Sequence, residues 1–246
     1  MKTTTHEETS KGVVLKTTPY KENDLLVHVY TQEFGKITLL AKGARKMTSK
    51  NAPSVLPLTL STFEMNLRPG ISPLMRGTPE NYYKHIKETI ECEIVADYLL
   101  EYYYRYIGEN VPSQEDYRWL LGTLDALEKG YSYLLVYAMI NSYIMKSNGV
   151  DIEVDHCALC ESTKAVAFSL ENGGFVCDEH RTPRDQILSV DAMKAMRHIY
   201  KRQIEDIDKI KVEDAILLEL LPIFEYYIDE YCGIHLKSKK FIEQIV

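Results

Sequence analysis

GVVLKTTPYKENDLLVHVYTQEFGKITLLAKG, residues 12–43, decides the fold of the N-terminal part of the chain. Three short runs rich in β-branched and alternating apolar residues, GVVLKTT, LLVHVYTQ and KITLLAKG, are parted by PYKEND and EFG, whose Pro, Asn, Asp and Gly form turns. Two further runs of the same kind follow, LTLSTFEMNL at 58–67 and ISPLMRG at 71–77, separated by RPG. Five short strands within about 70 residues predict a small closed barrel of the OB-fold type.

From Tyr82 onward the hydrophobic period becomes helical, with segments at 84–108, 114–128, 131–148, 190–203 and 212–231. Pro112 and Ser113 open one of these helices, and Gly130 and Gly149 lie at the ends of others. Between the third and fourth segments, CALC at 157–160 is answered by CDEH at 177–180, and the two flank AVAFSL and GGFV, a predicted β-hairpin. The expected architecture is α+β and multidomain: an N-terminal five-stranded OB-fold barrel over 1–81, an all-α domain over 82–150 and 186–246, and a zinc ribbon inserted over 151–185.

Each Cys/His pair sets two soft ligands three positions apart, a spacing at which one tight turn aims two side chains at a single ion. Cys157, Cys160, Cys177 and His180 make a tetrahedral zinc site on this reading, with His156, beside Cys157, as a competing fourth ligand. A disulfide is disfavoured because MKTTTHEETS has no apolar core of a secretory leader, so a cytoplasmic chain with reduced thiols is expected. Cys92 and Cys232 fall in apolar helical patterns and are expected in the core. A catalytic zinc needs an open coordination position, and four protein ligands leave none; the cluster reads as a structural staple. A deaminase-type site would need a preceding HxE, which the DHC at 155–157 does not supply. HExxH, GxSxG, GxGxxG and GxxxxGK[ST] are all missing, so the motifs of the common hydrolases, dehydrogenases and NTPases are excluded. With no apolar run near the roughly 20 residues of a membrane span, no membrane role is expected.

The net charge of -7 hides an uneven distribution. Residues 1–84 hold 12 Lys+Arg against 7 Asp+Glu, a basic head, while the remaining 17 and 29 make an acidic body. Within the head, Lys36, Lys42, Arg45, Lys46 and Lys50 fall in 15 residues, four of them in AKGARKMTSKNAP between the third and fourth strands. This predicts a flexible, electropositive loop suited to phosphate, on a fold whose loops and outer face commonly bind oligonucleotides. Tyr20, Tyr30, Phe34 and Phe63 are candidate stacking surfaces, half or more of them expected in the core. The tyrosines of EYYYRYIGE at 101–109 occupy several helix faces and read mainly as packing residues.

The order of parts, a basic five-strand head and a helical body with an inserted ribbon, resembles the bacterial RecO family of recombination mediators. GVVLKTTPYKENDLLVHVYTQEFGKITLLAKGARK looks like that family's opening, and GIHLKSKKFIEQI, at 233–245, like its ending. The resemblance implies non-enzymatic work: binding single- and double-stranded DNA, annealing complementary strands, and helping RecA load onto single strands coated with single-stranded DNA-binding protein. It also implies RecR and the acidic C-terminal tail of single-stranded DNA-binding protein as partners, and a place in the cytoplasm at the nucleoid. Where the family's metal turn commonly ends in a fourth Cys, this chain has His180, and zinc accepts Cys3His. The expected DNA contacts are Lys36, Lys42, Arg45, Lys46 and Lys50, with Lys237, Lys239 and Lys240 as a second, weaker patch. The alternative is a zinc-stapled, non-catalytic protein adaptor, which salt-sensitive oligonucleotide binding would distinguish.

Overall fold

The computed structural model describes residues 6–245, so half of MKTTTHEETS lies outside the described residues. The five expected strands form as β1 (His6–Tyr20), β2 (Asp24–Thr31), β3 (Gly35–Ala41), β4 (Leu60–Leu67) and β5 (Ile71–Asn81). β1 pairs antiparallel with both β2 and β4, β2 with β3, and β4 with β5. A parallel pairing of β3 with β5 completes the cyclic order β1-β2-β3-β5-β4, so the sheet closes on itself and its ladder donors and acceptors find partners. Inside it pack Val14, Val27, Val29, Leu39 and Phe63, all fully buried. Period-two alternation puts these side chains on one face of the pleat, and the closed sheet removes that face from water.

β1 is longer than its apolar run because the polar residues from His6 to Lys11 pair with β4, from His6 opposite Leu67 to Lys11 opposite Thr62. The EFG turn ends on Gly35 at φ +66°, and a Cβ there would lie 2.4 Å from the Val111 carbonyl oxygen. Only glycine combines that left-handed backbone with so close an approach.

The helices are α1 (Lys84–Glu88), α2 (Ile90–Tyr106), α3 (Gln114–Glu128), α4 (Tyr133–Ser147), α5 (Val190–Lys201), α6 (Asp214–Tyr227) and α7 (Lys239–Ile242). The segment expected as one helix over 84–108 is two, because Thr89 is extended at φ -120°, ψ 110°. Ser113 caps α3 by accepting the Asp116 N–H at 3.1 Å, as Ser at this position should. The last long helix runs on from α6 into a π-helical turn over Ile228–Cys232. Cys92 is buried as expected, whereas Cys232 on that turn is only partly covered.

Two compact units result. The first runs to Lys129 and takes in Leu236–Ile242, so it holds the closed sheet, α1 to α3 and α7; the second is Gly130–His235 with Glu243 onward. The boundary falls inside the stretch expected as a single helical domain. In the second unit, β6 (Ala165–Ser169) and β7 (Gly174–Cys177) form the expected hairpin, and β8 (Gln186–Ile187) adds a third strand in the order β7-β6-β8. Among the described residues, no helix is long and apolar enough to cross a membrane.

Candidate nucleic-acid interface and metal centre

The two Cys/His pairs fold into matching turns. The Cys160 N–H donates to the Cys157 carbonyl at 3.2 Å, and the His180 N–H donates to the Cys177 carbonyl at 3.1 Å. β7 ends on Cys177, and the Ala158 N–H donates to the Phe175 carbonyl at 2.7 Å, which brings the first turn against that strand. Gly174 permits the packing behind it, since a Cβ would lie 2.6 Å from the Glu153 carbonyl oxygen.

The Sγ atoms of Cys157 and Cys177 stand 3.6 and 3.3 Å from Nδ1 of His180, and the Sγ atoms of Cys160 and Cys177 are 3.9 Å apart. All four donor atoms lie within 4.8 Å of one another, so the cluster could hold a metal ion. His156 does not join it; its Nδ1 sits 3.5 Å from the Glu153 carboxylate. Burial pushes the Cys157 thiol up, but backbone donors from Cys177 and Leu159 and the neighbouring thiols outweigh it and bring it down to about 6. The Cys160 thiol is pushed up in spite of a Ser162 backbone donor, through burial and the adjacent sulfurs. Sulfurs crowded this closely can all be thiolates only with a cation among them.

The segment from Lys42 to Asn51 is pinned at both ends. The Asp24 carboxylate accepts the Gly43 N–H at 2.8 Å, and the Asn23 carbonyl accepts the Arg45 N–H at 3.0 Å. At the far end, Asn51 reaches β5: its Oδ1 accepts the Gly77 N–H at 3.0 Å. Successive turns join these anchors, with the Lys46 N–H on the Gly43 carbonyl and the Ser49 N–H on the Lys46 carbonyl, both at 3.0 Å. Ala44 is buried beneath, and the lysines are left outside.

Between this loop and β5 lies a cleft of about 920 Å³. Lys42, Lys46, Lys50 and Arg76 line it beside hydroxyls of Thr48, Ser49 and Thr78, and no carboxylate does. That local excess matters more than the charge of the whole unit, because electrostatic attraction decays within about 10 Å at 0.1 M salt. Arg45 does not line the cleft; its guanidinium donates to the Glu22 carbonyl at 3.0 Å and ties the loop to the β1–β2 turn.

Lys36 departs from expectation. It stands next to inward-facing Ile37 on β3, yet it is 7% exposed and its Nζ donates to the Tyr104 carbonyl at 2.7 Å. α2 and the 109–110 segment cover that outer face, with the Asn110 N–H on the Lys36 carbonyl at 2.9 Å. Burial pulls its ammonium down, against the nearby Glu109, so Lys36 is a structural cation and not a surface contact. Of the aromatic candidates, Tyr30 and Phe63 are fully buried and Phe34 packs against the same core; Tyr20 is exposed, with Lys21 Nζ 5.4 Å from its ring centroid. In the tyrosine run, Tyr102 and Tyr103 are buried, and the Tyr103 hydroxyl donates to the Asp116 carbonyl at 2.6 Å.

The C-terminal lysines are set by Glu101 of α2, whose carboxylate accepts the N–H groups of Lys237 and Ser238 at 3.1 and 2.8 Å. Lys237 and Lys240 then share a groove of about 420 Å³ with Lys16, Arg105, Tyr104 and Phe241, and with the carboxylates of Asp97 and Glu101. Lys239 does not line it. This second patch is mixed in charge where the first is purely cationic. Arg76, Lys16 and Arg105 are the cations that sequence reasoning missed; none of them falls in a run of basic residues.

Comparison with known proteins yields one family. The profile described as Recombination protein O N terminal matches residues 1–83, and Recombination protein O C terminal matches residues 88–240. The chain is 27% identical over 238 residues to a DNA repair protein RecO of Bacillus mycoides (strain KBAB4), covering 96% of each chain. It is 28% identical over 242 residues to the protein of that name from Bacillus cytotoxicus, again over 96% of each. The protein from Bacillus cereus (strain AH187) matches at 27% over 238 residues with the same coverage.

Proposed function

The chain belongs to the RecO family of DNA repair proteins, and from that premise we propose that it is a non-catalytic recombination mediator. It binds single- and double-stranded DNA, anneals complementary strands and, together with RecR, assists RecA loading onto single strands coated with single-stranded DNA-binding protein. Its place of work is the cytoplasm, at the nucleoid. The closed sheet is read as an OB-fold, a barrel whose loops and outer face suit oligonucleotides.

The observation that carries this reading is the carboxylate-free cleft lined by Lys42, Lys46 and Lys50. Annealing needs two strands held close, with their phosphate charge neutralised and their bases free to pair. Lysines on a pinned loop neutralise phosphates without reading bases, because contacts to the backbone carry no sequence information. The anchors at Asp24 and Asn51 hold the loop ready before DNA arrives, so less ordering cost falls on binding. Lys237 and Lys240, with Lys16 and Arg105 beside them, make the second, weaker patch, for DNA or for the acidic tail of single-stranded DNA-binding protein; Lys239 lies outside it.

Zinc is the ion assigned to the Cys/His cluster. Bond lengths of about 2.3 Å to sulfur and 2.0–2.1 Å to nitrogen in a tetrahedron require S···S near roughly 3.8 Å and S···N near about 3.6 Å. The separations of 3.9 Å and of 3.6 and 3.3 Å fit that set. Such an ion, when bound, supplies structure: Cys157, Cys160, Cys177 and His180 fill its coordination, and the DNA-binding side chains lie in the other unit.

The test is annealing of two complementary, fluorescently labelled oligonucleotides followed against salt. Annealing that slows steeply as salt rises supports the proposal. No annealing and no salt-sensitive binding would move the assignment to the protein adaptor.

A further inference from the structure

The geometry points to Arg76 as a fourth phosphate contact, so that a single strand lies in the cleft between the loop and β5 rather than over the loop's outer surface. The inference rests on the reading of this cleft as the DNA site and adds the wall opposite the lysines.

Strand alternation would send Arg76 inward, since Ser72 and Leu74 are both buried on β5 and Arg76 shares their parity. The pairing with β4 is interrupted at that point: Glu64 opposes Arg76, but Met65 opposes Leu74, which leaves Met75 as an extra residue. The bulge reverses the parity, so Met75 and Arg76 both face out and Gly77 turns in. Bulges are devices for re-aiming a side chain, and this one aims a guanidinium into the cleft.

Two further features hold that wall in place. Asn51 takes the Gly77 N–H from the loop side, at 3.0 Å. Gly77 itself admits no side chain, because a Cβ would lie 2.0 Å from Ser54 Oγ. β5 and the loop are thus joined at Gly77 and Asn51, with cations on both rims of the cleft. A planar guanidinium holds two phosphate oxygens through a rigid fork of parallel N–H donors, a geometry that the rotatable ammonium of the lysines opposite does not fix.

The experiment compares Arg76→Gln, Arg76→Lys and Arg68→Gln by binding to a labelled single-stranded oligonucleotide across a salt series. Arg68 is the control: an exposed arginine in the β4–β5 turn whose Nε donates to the Ile71 carbonyl at 2.6 Å, outside the cleft. Arg76→Gln is expected to flatten the slope of log affinity against log salt by about 0.7 and to weaken binding roughly fivefold at 0.1 M salt. Arg76→Lys is expected to keep the parent slope, and Arg68→Gln to leave slope and affinity unchanged. An unaltered slope in Arg76→Gln, or an equal loss in Arg68→Gln, overturns the inference. If Lys42→Glu with Lys46→Glu still abolishes binding, the cleft reading survives that failure; if it too changes nothing, the DNA site itself is misplaced.

Discussion

The closed sheet of the first unit and the small sheet of the second are both largely antiparallel, but different forces hold them. The first surrounds fully buried Val14, Val27, Val29, Leu39 and Phe63. The second has strands of five, four and two residues, and its buried cluster is Cys157, Ala167, Val176 and Cys177. Half of that cluster is thiol from the candidate metal centre. The opposite face of the same strands buries Phe168 and Phe175, which pack edge to face with ring centroids 6.1 Å apart, so apolar burial supports the hairpin on that face and is thin only beside the thiols. The closed sheet therefore stands on apolar burial alone, while the two Cys/His turns, which flank only Ala167 and Val176, are where a bound metal would add most to local folding.

That contrast ranks the expected effects of substitution. Cys177→Ser should be the most damaging: bound zinc falls from one per chain towards none, and stability drops by several kcal/mol, because metal binding there is folding free energy. Metal analysis with thermal unfolding checks it, and full stability in zinc-free protein would break the contrast. Phe63→Ala should cost about 3–5 kcal/mol with bound metal unchanged. If the first unit also lost stability on chelation, the separation between the two would fail.

A smaller effect concerns Asp155, which enters the metal turns and pairs with Arg197 at 2.7 Å and with Lys201, both on α5. These partners, Lys201 first, hold its carboxyl below the usual range. Its contribution to stability is therefore present above the unfolded carboxylate pKa of about 4 and is lost as pH falls through the lower folded value. Lys201→Glu should lower the melting temperature slightly at pH 7, and the difference from the parent should shrink in acid. An unchanged melting temperature at pH 7 would mean that solvent screening cancels the pair.

Much of the first unit was legible in the sequence because alternation and turn chemistry agree there. GVVLKTT, LLVHVYTQ and KITLLAKG all became strands, and EFG placed its glycine where only glycine fits. HEETSK was not legible, since a polar strand has no hydrophobic period and exists only through its register with β4. The Cys/His spacing identified the cluster outright, but the choice between His180 and His156 needed the fold: one turn faces the sulfurs and the other faces Glu153. Lys36 and Arg76 failed in opposite directions for one reason. Whether a cation meets solvent depends on what covers its strand and on a bulge, and neither leaves a local trace in the sequence.

On this reading, DNA is handled by the cleft on the first unit while a bound metal only staples the second. The decisive measurement changes Lys42, Lys46 and Lys50, which all line the cleft, together to Glu and follows annealing against salt, with bound zinc assayed on the same sample. Weak annealing is expected, with a slope for single strands shallower by roughly 0.7 for each lost contact, and one zinc per chain as in the parent. Parent-like annealing with an unchanged salt slope would contradict it.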